Sequence, residues 1–232
     1  MLFTEEYVSE KIRSAKIENE PFPHFMIKDI FPSEFYIDLL ANLPINSEFN
    51  CDDQYRFNLN LNSEGLNRIQ SDRAVFWKQF LSWMSSESFK RTVTSKIYPH
   101  LRLRFFTRKN LKLESKISLA RNKSGFILGP HTDMAHRVLT LIFYLPQDHA
   151  HWEAGTSLYI ARDSVFTCSG GPHYEFKNFK KLATVKFMPN TLFGFIKTNR
   201  SFHGVEPWAD KNFIRDTINY EIQDSDRSHY YN

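Results

Sequence analysis

The sequence predicts a mainly β protein with flanking α-helices, in which a sandwich or barrel core follows N-terminal packing helices. Two observations carry this. From Leu101 onward, short alternating or wholly apolar runs replace helical periodicity, at residues 101–106, 116–121, 126–128, 138–145, 156–160, 183–188, 191–196, 201–205 and 213–222. Turn formers separate them: Gly125, Pro146, Gly155, Gly170-Gly171-Pro172, Pro189-Asn190 and Pro207. There is no internal repeat, low-complexity segment or clear linker. Residues 1–232 therefore read as a single domain, with 1–100 as helical and strand support and 101–232 as the β core.

The first hundred residues justify their elements one by one. Residues 4–18 form a short amphipathic helix that Thr4 can cap, and Pro21-Phe22-Pro23 ends it. Residues 24–30 alternate as a strand. Residues 32–43 place Phe35, Leu39, Leu40 and Leu43 on one helical face, and Pro44 stops the run. Residues 55–61 alternate strictly and predict a strand. Ser71 can cap a helix through Trp77, Phe80, Leu81 and Met84, and a further helix over 86–98 stops at Pro99. The aromatic side chains of these helices read as core-facing stripes.

Composition bounds the function classes. With 22 Phe among 232 residues, the chain can build a sizeable core or an aromatic-lined pocket. A net charge of +4 suits an anionic substrate or cosubstrate and is too small an excess to argue for nucleic acid. Cys51 and Cys168 lie far apart with no C-x-x-C pattern, which argues against a disulfide framework and for a reducing compartment. The first residues lack a basic segment followed by an apolar run, and no apolar stretch is long enough to span a bilayer. These features lead to the expectation of a cytoplasmic protein with no membrane partner, acting on a small molecule.

The chemistry centres on Gly129-Pro130-His131-Thr132-Asp133 and, much later, His203. On an extended strand, residues two apart share a face, so the His131 imidazole and the Asp133 carboxylate can converge. His203 from another strand would complete two histidines and one carboxylate on one side of a metal. That triad, with its other positions open, suits non-haem Fe(II) that activates dioxygen. His131, Asp133 and His203 are thus both the candidate metal ligands and the candidate catalytic centre. Zinc also accepts such ligands, but a structural zinc site is normally closed by a fourth.

The order of parts around these residues resembles the Fe(II)/2-oxoglutarate-dependent oxygenase superfamily. It runs from His131-Thr132-Asp133 through the apolar strand at 138–145 and the loop from Glu153-Ala154-Gly155. The turn at Pro189-Asn190, then Phe202-His203-Gly204-Val205, then Ile214-Arg215-Asp216-Thr217-Ile218-Asn219 complete it. The resemblance covers the C-terminal half in motif detail, and Pro23-His24-Phe25 with the following helix is similar to small bacterial members. It implies a double-stranded β-helix (jelly-roll) core, and Fe(II), 2-oxoglutarate and dioxygen as cofactor and cosubstrates. It also implies oxidation of a substrate carbon coupled to decarboxylation of the keto acid. Because Asp133 is present, where halogenating relatives carry a small residue, the resemblance implies hydroxylation, desaturation or demethylation. Two positions depart from the prolyl hydroxylase-like members: Asn122 stands where they carry Tyr, and Glu153-Ala154-Gly155 replaces their Gly-Gly.

Arg215 and Thr217 are two apart on a predicted strand, so a guanidinium fork and a hydroxyl share a face, which suits a terminal carboxylate. The family holds the far carboxylate of 2-oxoglutarate with such a pair, and Asn219 continues the same face. Candidate substrate contacts are Arg56 and Asn58 on the strand at 55–61, Arg121 before the motif, and Trp152 in its loop. His136 and Arg137 follow the motif and either contact substrate or cap a strand. His149 and His151 read as loop residues, and His24, His100, His173 and His229 have no partner identifiable in sequence. The basic run Arg102, Arg104, Arg108, Lys109 and Lys112 reads as a solvated strand face and loop. The functional readings are a dioxygenase hydroxylating a small polar metabolite such as an amino acid, a sugar or a natural-product intermediate, the same chemistry on protein side chains, and a non-catalytic jelly-roll binding protein.

Overall fold

A computed structural model describes residues 2–105 and 111–230. Among these, the β strands form two antiparallel sheets, and the helices lie in the first half of the chain. The larger sheet has the order β1 (His24–Lys28), β9 (Thr191–Ile196), β6 (Arg137–Tyr144), β11 (Ile214–Asp224), β4 (Leu113–Lys123), β3 (Arg56–Asn60) and β2 (Asn50–Asp53). The smaller has the order β5 (Leu128–His131), β10 (His203–Val205), β7 (Thr156–Ala161) and β8 (Phe179–Val185). This is the jelly-roll arrangement expected from the sequence. The helices are α1 (Leu2–Ser14), α2 (Ser33–Ala41), α3 (Ser63–Leu66), α4 (Ser71–Met84), α5 (Glu87–Lys96) and α6 (Tyr98–Arg104). None is long and apolar enough to cross a membrane.

Side-chain parity on the large sheet separates structure from chemistry. Leu139, Leu141 and Phe143 of β6, Ile218, Tyr220 and Ile222 of β11, and Ile117 and Leu119 of β4 share one core with α1, α2, α4 and α5. Phe89 of α5 packs edge-on against Tyr220 with ring centroids 5.4 Å apart, and Phe31 stacks on Phe143 at 5.3 Å. Burying each such side chain contributes about 2–3 kcal/mol before packing effects. The intervening residues face the small sheet. Toward one end these are aromatic, with Tyr144, Phe193 and Phe195 joining Phe187, Leu158 and Val205 in a second core. Elsewhere on that inner face stand the polar residues Thr140, Arg215, Thr217, Asn219 and Glu221, which line a cavity between the sheets.

Three expectations need correction. Residues 101–106 alternate as Leu-Arg-Leu-Arg, yet Leu101 to Arg104 belong to helix α6, with Phe106 outside the described residues. Pro99 was expected to stop a helix but lies in the first turn of α6, where its missing N–H has no partner to lose. Arg104 is no solvated strand residue: it donates to the carbonyls of Ala135, Arg137 and Lys197 at 2.5, 2.8 and 3.0 Å, pinning α6 beneath β6. Arg108 and Lys109 lie outside the described residues.

Candidate metal centre and cavity

The centre is set by strand register. In the β5–β10 pair, His131 and His203 are direct cross-strand partners, and their ring centroids lie 4.3 Å apart. Asp133 follows His131 by two residues and turns its carboxylate onto the same point. One ligand atom from each of the three residues falls within 4.8 Å of the others, and all three residues are buried. Asp133 Oδ1 lies 4.0 Å from His131 Nε2 and 3.8 Å from His203 Nε2.

Each imidazole is oriented by the backbone. His131 Nδ1 donates to the Gly129 carbonyl and His203 Nδ1 to the Ser201 carbonyl, both over 3.0 Å. A carbonyl can only accept, so this fixes the proton on Nδ1 and turns each Nε2 lone pair inward. Burial holds both histidines below the usual imidazole range, helped at His131 by the neighbouring His203. Burial works against the Asp133 anion, but the Arg137 cation and the Thr140 hydroxyl hold the carboxyl below its usual range. The protonation state is therefore two neutral imidazoles and one carboxylate, the donor set a divalent cation requires.

The carboxylate is itself held at both oxygens. Thr140 Oγ1 donates to Oδ2 at 2.6 Å, and Arg137 Nη1 donates to Oδ1 at 2.9 Å. Arg137 also places Nη2 2.8 Å from Glu221 Oε2, an ion pair without hydrogen-bond alignment. On the far side, the loop after β7 clamps strand β5. Thr132 Oγ1 donates to the Cys168 carbonyl at 3.0 Å, and Tyr174 N donates to the Pro130 carbonyl at 2.9 Å. Gly170, at φ 137°, makes this approach possible, because a Cβ there would sit 2.3 Å from the Asp133 carbonyl oxygen. The same loop sets the His173 ring edge-on to His131, 4.6 Å between centroids.

The cavity occupies about 310 Å³ and runs from the triad to Arg215. Arg215 is 4 % exposed. Its Nε donates to the Ala154 carbonyl at 2.7 Å and its Nη1 to Asn122 Oδ1 at 3.1 Å. It lies near the Tyr144 and Phe187 rings, at 5.8 and 5.4 Å. Among the described residues no hydrogen-bond partner is found for Nη2, so one arm of the fork remains for a ligand. Thr156 and Thr217 line the same end.

The other expected residues divide. Arg56, Asn58, Arg137, Thr217 and Asn219 line the cavity. Arg121, His136 and Trp152 do not. Arg121 has the opposite parity to Ala120 and Asn122 on β4, so it points outward and holds Asp216 through two bonds of 2.8 and 2.9 Å. His136 precedes Arg137 and turns the other way, toward Tyr230. Trp152 is 47 % exposed on a surface turn beneath Lys186. Asn122, Thr140, Thr156, His173 and Glu221 line the cavity although the sequence assigned them no site role. Glu221 was within reach, because it continues the inward series Arg215, Thr217, Asn219. His173 was not, because its loop has no periodicity to read.

No protein-family model matches the chain, and no curated protein is similar to it in sequence. Solved structures do match. A prolyl-4-hydroxylase from Pseudomonas putida superposes with a TM-score of 0.55 at 12 % identity, covering 94 % of this chain and 98 % of that one. AviO1 from Streptomyces viridochromogenes Tue57 gives 0.51 at 12 % identity, covering 96 % of each chain. An oxidoreductase of the 2OG-Fe(II) oxygenase family from Burkholderia pseudomallei gives 0.50 at 11 % identity, covering 94 % and 89 %. The fold of this chain is that of 2OG-Fe(II) oxygenases.

Proposed function

We propose that the protein is an Fe(II)- and 2-oxoglutarate-dependent dioxygenase that hydroxylates an unactivated carbon of a small polar metabolite. The observation that carries this is the pairing of two features across one cavity. Two inward Nε2 lone pairs and a carboxylate oxygen stand at one end, and a buried guanidinium with an arm to spare stands at the other. His131, Asp133 and His203 would hold the ferrous ion through Nε2, Oδ1 and Nε2, and Arg215 the far carboxylate of 2-oxoglutarate. When bound, the ion and the keto acid supply the oxidising chemistry: dioxygen, 2-oxoglutarate and R–H become succinate, carbon dioxide and R–OH.

The chain's own residues orient and exclude. Gly129 and Ser201 carbonyls fix the imidazole tautomers. Thr140 holds Asp133 Oδ2 and so turns Oδ1 toward the two Nε2 atoms. Phe126, Leu128, Ile142, Phe195 and Val205 form apolar wall between the polar groups and limit water. About 310 Å³ lies at the low end for ligand pockets and must hold cosubstrate and substrate together, which favours a small metabolite over a protein segment.

The test is calorimetric titration of 2-oxoglutarate into the anaerobic Fe(II)-loaded protein, followed by oxygen-dependent succinate formation. We expect saturable binding that requires the metal and is lost in His131→Ala. A protein that binds no 2-oxoglutarate in the presence of Fe(II), or whose metal affinity is unchanged in His131→Ala, is not this enzyme. It would instead be a jelly-roll binding protein.

A further inference from the structure

Two opposite charges face the same cavity and do not meet. Glu221, the fourth inward residue of β11, stands beside Thr140, its cross-strand partner on β6, and hence beside the metal-facing carboxylate. Its side chain is 13 % exposed, and burial pushes its carboxyl up despite the Arg137 cation. A carboxylate has about four acceptor positions. Among the described residues the buried Glu221 Oε2 has no hydrogen-bond partner, because its contact with Arg137 lacks the alignment for one. Arg56 lines the cavity from β3, and its only ion-pair partner among the described residues is Asp52, at 3.5 Å between half-exposed groups. Arg56, His173 and Glu221 line the same cavity. No ion pair joins Arg56 to Glu221 among the described residues, and Asn219 and Asn58 line the cavity with them.

A buried acceptor without hydrogen bonds calls for a ligand that donates to it. We infer that the substrate is a zwitterion, its ammonium group held by Glu221 and its carboxylate by Arg56, which makes it a free amino acid rather than a peptide-bound residue, a sugar or a phosphate ester. This deepens the proposed function and rests on it for the location of the reacting carbon. Arg215 would be matched by the far carboxylate of 2-oxoglutarate and the ion by Asp133 and the near carboxylate of the keto acid, while Arg137 is shared between Asp133 and Glu221. A substrate bearing one charge of each sign adds no net charge to this set, gives Glu221 an aligned N–H donor and gives Arg56 a carboxylate on the cavity side.

The experiment is calorimetry on the anaerobic protein loaded with Fe(II) and 2-oxoglutarate. The probes are a panel of free L-amino acids and short ω-amino acids, each alongside its N-acetyl and methyl-ester derivatives. We expect saturable binding of at least one free member. Its affinity should fall about tenfold or more on N-acetylation and on esterification. It should fall likewise in Glu221→Gln for the free amine and in Arg56→Ala for the free acid. The capped probes read the wild-type protein, so the inference stays testable if a variant fails to fold. It is overturned if no zwitterion binds to protein that has taken up 2-oxoglutarate, if capped forms bind as well as free ones, or if only phosphorylated compounds or unmodified sugars bind. A protein that takes up no 2-oxoglutarate overturns the oxygenase reading instead, and the two failures are thereby distinguished.

Discussion

Arg137 Nη1 donates over 2.9 Å to Asp133 Oδ1, the same oxygen that faces the Nε2 atoms of His131 and His203. The guanidinium thus reaches the carboxylate from behind the candidate ion and is steadied by Glu221. A group supporting a metal ligand in this way changes affinity without touching the ion. Arg137→Ala is expected to weaken Fe(II) binding ~10–100-fold, read by competition with a metal-sensitive dye, while Arg137→Lys recovers part of the loss. Equal affinities in all three proteins would show that Arg137 serves the substrate alone.

Thr140 makes the complementary contact. Its Oγ1 donates to Asp133 Oδ2 at 2.6 Å from a position buried between the sheets. Thr140→Val keeps the shape and deletes the donor, leaving a buried carboxylate oxygen without its partner. The folded metal-free protein is expected to lose about 1–3 kcal/mol in urea denaturation. Added Fe(II) should stabilise the variant less than it stabilises the wild type, because the carboxylate is no longer fixed with Oδ1 toward the two Nε2 atoms. An identical metal-induced gain in both proteins would count against the positioning role.

Arg215 tests the other end of the cavity. Lysine can replace the charge but not a fork that holds the Ala154 carbonyl, Asn122 and a ligand at once. Arg215→Lys is expected to raise the dissociation constant for 2-oxoglutarate by about 10–100-fold, the value of one or two charged hydrogen bonds. Fe(II) affinity should be unchanged. Calorimetric titration of the keto acid with and without the metal separates the two effects.

How far the sequence disclosed this site depended on whether the signal was local. Strands β6, β9 and β11 were legible because buried apolar residues fill the face toward the helices, and in β9 the opposite face as well. Arg215, Thr217 and Asn219 were found by the parity of β11. His203 could be paired with His131 because both sit in short extended runs. Strand β8 was placed too late, since its opening Phe179-Lys180-Lys181 carries the exposed lysines of a sheet edge and shows no alternation of burial. Strand β2 was missed because all four of its residues are exposed. Arg121 shows the limit of charge as a guide: as a cation before the metal-binding motif it looked fit for a substrate, and only register with Asp216 assigns it to the outer face. His173 reaches the centre through a loop whose course is set by backbone contacts to Pro130 and Thr132, which no side-chain pattern encodes.

Glu48 links stability to the wall of the cavity. It is 4 % exposed, and its carboxylate accepts from Ile45 N at 2.8 Å, Gln70 N at 2.7 Å and Arg73 Nη2 at 2.9 Å. Glu48 thereby ties α4 to the segment that leads into β2 and β3, the hairpin that bears Arg56 and Asn58. Burial works against the anion, but the two backbone donors and the Arg73 cation outweigh it and hold the carboxyl below its usual range. A group whose folded value is depressed binds its proton more readily in the unfolded chain. Its stabilisation is therefore present above the ordinary glutamate value and is lost as pH falls through and below it. Glu48→Gln should cost about 1–3 kcal/mol at pH 7. The gap between wild type and variant should narrow as pH is lowered from about 6 toward 3. Urea denaturation across that range provides the measurement, and a gap that stays constant with pH would mean that the side chain acts through its shape rather than its charge.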